Sequence, residues 1–177
     1  MADHPSISPT TAVRLTRYTP TEQNEILGDG ADPFGVASTG LTWLPKEDHF
    51  GVTLGGRLVA HAGLRILPVS IGGVGTEVVG VGGVAVAPDV RGRGLARQVI
   101  TAALDHARTL GPRHGLLFCR NALVPLYGRL GWRALEQEVR VEQTQGPVLM
   151  PLRTMVTALH DGANWPTGAV RLHSLPM

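Results

Sequence analysis

One cysteine, Cys119, is too few for an internal disulfide, so the small secreted disulfide scaffolds are excluded. No apolar run approaches the ~20 residues that a membrane-spanning helix needs. Met1 to Thr11 carries polar residues and prolines where a signal peptide would be apolar. These absences predict a soluble, cytoplasmic protein without a membrane partner. Excess charge is also lacking: 16 basic against 14 acidic residues leave +2, too little to argue for nucleic acid. Lysine is nearly absent, since Lys46 is the only one, and no Gly-Lys-Ser/Thr triplet forms a Walker phosphate loop. No metal is expected.

Glycine, by contrast, is abundant, with 23 residues. Flexible linkers and phosphate-binding loops both raise that number, and position separates them. Gly72, Gly73, Gly75, Gly80, Gly82, Gly83, Gly92 and Gly94 fall in one stretch, interleaved with Val74, Val78, Val79, Val81, Val84 and Val86. Strand formers thus alternate with residues that admit a close approach to the backbone, which predicts a strand lined by a ligand. With 43% hydrophobic residues, the 177-residue chain can bury one core. Residues 1–10 read as a loose tail, 11–159 as the domain, and 160–177 as a tail docked on it through Trp165, Val170 and Leu172.

Ala12 to Tyr18 alternates as a first strand, closed by Pro20, and Thr21 caps a short helix to Leu27. Gly28-Asp29-Gly30 and Asp32-Pro33-Phe34-Gly35 break it. Phe50 to Leu54, Gly55-Gly56 and Arg57 to Leu67 predict a hairpin. Pro68 and Ser70 to Gly75 read as a turn, and Thr76 to Val86 as a long strand. A helix follows with Arg97, Thr101, Asp105 and Arg108 on its polar face and Ala96, Val99, Ile100, Ala103, Ala107 and Leu110 in its buried stripe. Leu116 to Cys119 is a buried strand, and Asn121 caps a second helix that stops at Gly131. Arg133 to Glu142 and Val148 to Leu159 read as the last strands, with Pro151 marking an edge or bulge in the second.

A helix N-terminus preceded by glycines presents unpaired N–H groups and partial positive charge, which suits phosphate. After the strand ending Val84-Ala85-Val86 comes Arg91-Gly92-Arg93-Gly94-Leu95-Ala96. As a dinucleotide fingerprint it fits poorly, because Arg97 stands where a third small residue should pack helix on strand. Downstream lie Asn121 and Leu126-Tyr127-Gly128-Arg129-Leu130-Gly131-Trp132. Together, the two segments resemble the phosphate loop and the Asn…Leu-Tyr-x-x-x-Gly-Phe/Trp helix of the GNAT superfamily of acyl-CoA N-acyltransferases, roughly from Val13 to Leu159. Ala60-His61-Ala62, Gly83 to Val86 and the Trp165…Gly168…Val170 tail look most like the aminoglycoside 2′-N-acetyltransferase branch.

The resemblance implies an α/β (α+β) fold with a mixed, mostly antiparallel, twisted sheet of about six to seven strands, flanked by helices and splayed at the cofactor strand. It implies acetyl-CoA as cosubstrate, held by Val84, Ala85, Val86, Arg91, Gly92, Arg93, Gly94, Leu95, Ala96 and Asn121, with glycines 80, 82 and 83 keeping that approach open. Backbone N–H groups from Val84 onward would bind the oxyanion, and Tyr127 would be the general acid. A core tyrosine with a satisfied hydroxyl is the alternative for Tyr127, as simple helix capping is for Asn121. The acid that the aminoglycoside branch carries two positions before Val84 is here Gly82. His61, Glu77, Asp48, His49, His173 and the terminal carboxylate of Met177 remain as candidate bases, and water is another. Cys119 reads as core, because an apolar strand suits a thiolate poorly.

From Thr19 to Phe50 six acids stand against Lys46, a balance of −5, whereas Ala85 to Arg133 carries eight arginines against two acids, a balance of +6. The basic part suits polyanionic CoA, and the acidic part would steer in a cationic amine or serve only solubility. The activity implied is acetyl transfer to a primary amine of a small cationic molecule in a ternary complex. A CoA-binding regulatory module and a protein amino-group acetyltransferase are the alternatives. The apolar last strand and tail offer a seam for a homodimer.

Overall fold

The computed structural model describes residues 11–28, 32 and 34–177. The N-terminal tail and the breaks expected at Asp29, Gly30 and Pro33 lie outside the described residues. In chain order come β1 (Val13–Arg14), α1 (Pro20–Leu27), β2 (Asp48–Leu54), β3 (Arg57–Ile71), β4 (Val74–Val86), α2 (Leu95–Ala107) and β5 (His114–Cys119). Then follow α3 (Val124–Arg129), β6 (Arg133–Ala134), β7 (Val139–Val141), β8 (Val148–Leu149), β9 (Arg153–Ala158) and β10 (Val170–Leu172).

Local chemistry explains the joints. Pro20 opens α1 rather than only closing β1, because the first helical position has no N–H to lose. Thr19, not Thr21, is the cap, and its backbone N–H donates to the Glu22 carboxylate at 2.8 Å in a capping box. Gly55 and Gly56 both take positive φ, 56° and 78°, as a two-residue hairpin turn between β2 and β3 requires. The chain does not turn at Pro68. β3 runs through it to Ile71, and only Gly72 and Gly73, at φ 58° and 83°, reverse the direction. The Pro68 carbonyl accepts from the His173 N–H at 2.9 Å, just past the end of β10, so its missing donor interrupts no ladder.

Among the described residues ten strands form one sheet in the order β6-β9-β5-β4-β3-β10-β7-β8, with β2 also on β3 and β1 on β2. Only β4–β5 and β10–β7 are parallel. The sheet is therefore mixed and mostly antiparallel, and larger than six or seven strands. Val99, Ile100 and Ala103 of α2 pack with Val52, Val59, Val79 and Val81 in one core. Leu67, Val69, Leu116, Val141 and Leu172 build a second.

Three expectations change at the C-terminal side. Arg133 to Glu142 is not one strand: β6 pairs β9, whereas β7 lies between β10 and β8. Pro151 separates β8 from β9 rather than kinking one edge strand, and β9 is interior, between β5 and β6. Residues 160–177 are not merely docked, because β10 is inserted between β3 and β7. Val170 and Leu172 are buried there, which removes them as a dimer seam. No helix among the described residues is long and apolar enough to cross a membrane.

Candidate functional site

The parallel pair β4–β5 is joined only at Val79 with Gly115 and Gly80 with Leu116. Beyond these, β5 continues on β9 and β4 on β3, so the two strands part toward their C-terminal ends. A cavity of about 270 Å³ occupies the opening, lined by Val81 to Val84 on one side and Leu117 to Arg120 on the other. Tyr127 and Met177 also line it.

On the other edge of β4, Ala85 faces His61 and Gly82 faces Gly63, so two residues, Gly83 and Val84, oppose Ala62 alone. This is a bulge with Gly83 at φ 59°, the left-handed conformation that such a bulge asks of its first residue. The Gly83 carbonyl lies 2.7 Å from His61 Nδ1. Since a carbonyl only accepts, Nδ1 carries the proton, and Nε2 then accepts from His49 Nδ1 at 2.9 Å. Peptide planarity turns the Val84 N–H the opposite way from the Gly83 carbonyl, away from His61.

His61 is only 1% exposed, stacks on Tyr18 at 3.6 Å between ring centroids, and does not line the cavity. Burial pulls its pKa down to about 4, against the hydrogen bond to Gly83. With both ring nitrogens engaged and no face on the cavity, it is placed as a clamp on the bulge rather than beside the acceptor. An unfolded histidine titrates near ~6.5, so between that value and about 4 the unfolded chain binds the extra proton. Stability is then full above ~6.5 and falls on acidification toward 4, by roughly 3 kcal/mol for this one group. Urea midpoints should drop between pH 7 and pH 4.5, and His61→Gln should flatten most of the dependence. An unchanged pH profile in that variant would refute the assignment.

The other base candidates are also placed elsewhere. Glu77 is exposed at the far end of β4, paired with Pro68, and lines a second cavity with His114 and Trp165. His173 bonds Ser70 Oγ at 2.8 Å, and Asp48 pairs with Arg14. His49 is taken by His61. Only Met177, buried in the cavity wall, comes close to Gly82.

Of the acids expected to draw in a cation, those among the described residues are engaged as well. Glu22 bonds Thr19 and Arg17, Glu25 the Leu58 N–H, Asp32 the N–H groups of Val36 and Ala37, and Glu47 pairs with Arg65. None of these lines the cavity.

Tyr127 is 6% exposed, and no hydrogen bond of its hydroxyl is formed within the described residues. Burial, with Cys119 close by, pushes its phenol up to about 12. Leu126-Tyr127 gains its place from α3, whose C-terminal Gly131 at φ 92° returns the chain to Trp132, set edge-on against Tyr127. Cys119 is buried beside Met155, and burial pushes its thiol up, as expected for a core residue.

The C-terminal end of β4, where it has parted from β5, leads through Pro88–Val90 to the loop Arg91 to Gly94. Gly92 and Gly94 have φ 79° and 75°, and a Cβ on either would meet nothing, so conformation rather than space requires glycine there. The first bond of α2 joins the Gln98 N–H to the Gly94 carbonyl. Within the described residues the backbone N–H groups from Gly92 to Arg97 donate to no backbone carbonyl, leaving them free for an anion. Asn121 does not cap α3: it lies in a short 3₁₀ turn, exposed, with Oδ1 accepting from Arg153 at 3.1 Å.

Lys46 was missed by sequence reasoning. Its stem crosses Gly63, and a Cβ on Gly82 or Gly83 would stand 3.2 or 3.3 Å from its Cε. Glycines 80 and 82 thus admit Met177 and Lys46, not only a cofactor: a Cβ on Gly80 would lie 2.7 Å from Met177 Sδ. The available signal was a lone lysine among Trp43, Leu44 and Pro45.

Solved structures share this architecture. A GNAT family N-acetyltransferase (YhbS) from Escherichia coli in complex with CoA aligns over 96% of this chain and 94% of its own, with TM-score 0.60 and 21% identity. A GNAT family acetyltransferase from Brucella melitensis in complex with acetyl-CoA aligns over 90% and 94%, with TM-score 0.53 and 19% identity. The ribosomal-protein-S18-alanine N-acetyltransferase from Escherichia coli aligns over 89% and 100%, with TM-score 0.55 and 19% identity. A search of curated proteins gave no match. The family model of the acetyltransferase (GNAT) domain matches residues 39–135, from before β2 through β6 and across both strands of the opening. With that match spanning more than half of its length, the chain belongs to the GNAT acetyltransferase family.

Proposed function

We propose that the protein transfers the acetyl group of acetyl-CoA to the primary amine of a small molecule, by direct attack in a ternary complex. The observation that carries this reading is the parting of β4 from β5, with the unpartnered Tyr127 hydroxyl in its wall and free helix N–H groups on the loop that follows β4.

In this reading the amides of Gly92, Gly94, Leu95 and Ala96 hold the pyrophosphate, and Arg91 and Arg93 add positive charge. The pantetheine arm runs along Val84, Ala85 and Val86, with Asn121 reaching it from the β5 side. The acceptor nitrogen attacks the thioester carbon, a C–N bond forms, and the Val84 N–H binds the oxyanion. The C–S bond then breaks, and the sulfur receives the proton that the nitrogen gives up. A phenol near 12 would not by itself protonate a thiolate of pKa ~8.5. Tyr127 instead relays, donating to the sulfur as the acceptor's proton is passed on, so no free tyrosinate accumulates. No described aspartate or glutamate lines the cavity, whereas the terminal carboxylate of Met177 stands beside Gly82, so the acceptor's first proton goes to that carboxylate or to water.

The raised thiol of Cys119 argues against an acyl-cysteine route. Calorimetry with acetyl-CoA and free-thiol release across a panel of amines test the proposal together. Binding accompanied by amine-dependent thiol release is the expected result. Binding without release from any amine would favour the regulatory reading, and no binding would overturn both.

A further inference from the structure

β4 and β5 part at both ends. β5 leaves β4 before Val79 as it does after Gly80, since His114 to Cys119 stays on β9 throughout. Residues 74–78 of β4 therefore pair with β3 on one side and, among the described residues, with no strand on the other. A second cavity of about 590 Å³, larger than the first, lies along this free edge. Arg113 and His114, where β5 begins, and the segment 162–167 complete its wall.

Register decides which backbone groups the edge presents. Glu77 faces Pro68 across the β3–β4 ladder, and the Pro68 carbonyl is turned to β10, where the His173 N–H donates to it at 2.9 Å. Pro68 thus offers Glu77 neither donor nor acceptor, so the Glu77 N–H and C=O point away from β3, to the vacant side. Strand alternation turns the same two groups of Gly75 that way. No turn or loop group among the described residues bonds them. Such a row of N–H and C=O groups at strand spacing is the template on which a further strand forms. Gly75 lies outside the left-handed region, and a Cβ on it would meet nothing. Neither conformation nor space within the chain calls for glycine there, and its bareness suits the close approach of another backbone. Around the edge, Val74 is 69% exposed, and Trp165 Nε1 and His114 Nε2 have no hydrogen-bond partner.

Spacing and length choose the occupant. Only a polypeptide repeats N–H and C=O groups at this interval. The free edge, residues 74–78, spans roughly 17 Å. Two copies of the chain pairing through so short an edge would bury far less than the ~1,200 Å² of a specific dimer. A single extended segment of about four or five residues fills it.

Independently of the acetyl-transfer reading, we propose that this second opening docks an extended peptide segment of another protein, bound as an added strand on the Val74 to Val78 edge of β4. Its alternate side chains are apolar and lie on the face that Val74 and Val78 share with Trp165.

The probe is acetyl-Val-Thr-Val-Thr-amide, with two partners N-methylated at alternate residues, either the first and third or the second and fourth. Calorimetry and amide hydrogen exchange by NMR are carried out on the full chain. The parent peptide should bind saturably with Kd below ~1 mM and protect the Gly75 and Glu77 amides. One methylated partner should bind at least about tenfold more weakly than the other, because only alternate amides of a strand face β4. Glu77→Pro, which removes an edge donor where no ladder bond is lost, should weaken the parent peptide severalfold. Because the methylated pair needs no variant, a poorly folded substitution leaves the proposal testable. No binding of the parent peptide would overturn it, as would equal binding of the two methylated partners, protection elsewhere than at Gly75 and Glu77, or unchanged binding by a folded Glu77→Pro. Sedimentation of the free protein as a dimer, with those two amides already protected, would give the edge to a second copy and overturn it too.

Discussion

Replacing Tyr127 with phenylalanine should lower kcat by about 10²–10³-fold while leaving the KM for acetyl-CoA within about twofold, as expected when a proton-transfer group is lost and binding is kept. The ring is buried edge-on against Trp132, and phenylalanine preserves that packing. Nothing in the described structure ties the hydroxyl to the fold, so its removal leaves no buried partner unsatisfied. Stability should therefore change little, and steady-state kinetics with a thermal melt separates the two effects. The pH profile supplies a second check. A phenol held up to about 12 stays protonated, so no alkaline fall in rate from this group should appear below pH ~10. A variant with unchanged turnover would remove Tyr127 from the reaction.

Gly83→Ala should be nearly as damaging for a different reason. At φ 59° an L side chain costs ~1–2 kcal/mol. Its Cβ would also stand 3.3 Å from both His61 Cε1 and Lys46 Cε. The simplest relief is for the bulge to flatten, which releases the Gly83 carbonyl from His61 and reorients the Val84 N–H with it. Loss of one oxyanion donor is worth about 10²–10³ in kcat. The variant should still fold, because the strain is less than the stability of an ordinary domain. A folded Gly83→Ala protein with wild-type kcat would show that the bulge does not aim the donor.

Much of this was legible before the fold was known, and the reasons differ by element. Gly55-Gly56 between two apolar runs has few solutions other than a hairpin. Arg91 to Gly94 followed by a 3.6-period apolar stripe states a helix start, though Leu95 and Leu104 rather than Ala96 and Leu110 complete the buried face. Long-range matters were less visible. Whether Pro68 breaks a strand depends on which edge its nitrogen faces, and that was set by His173, far along the chain. Val170 to Leu172 reads as a docked tail or as a central strand with equal ease, since both bury the same residues. The bulge at Gly83 is a mismatch between two strands and has no signature within either. Lys46 joined the site only because Gly63, Gly82 and Gly83 come from two different strands that meet in the folded sheet.

The insertion of β10 between β3 and β7 carries a consequence for how the protein assembles. The hairpin of β3 and β4 and the helix after it form from near neighbours in the chain, so the Arg91 to Gly94 loop is built from contacts of short sequence separation. The wall that holds Met177 needs β10 to close a loop of roughly a hundred residues back onto β3, a pairing that pays its chain entropy late. Until then β3 and β7 present open edges, the usual entry for mispairing with another chain. The cofactor half should gain protection from hydrogen exchange first, and the acceptor half last. Selectivity for the acceptor would then be acquired after the capacity to hold CoA.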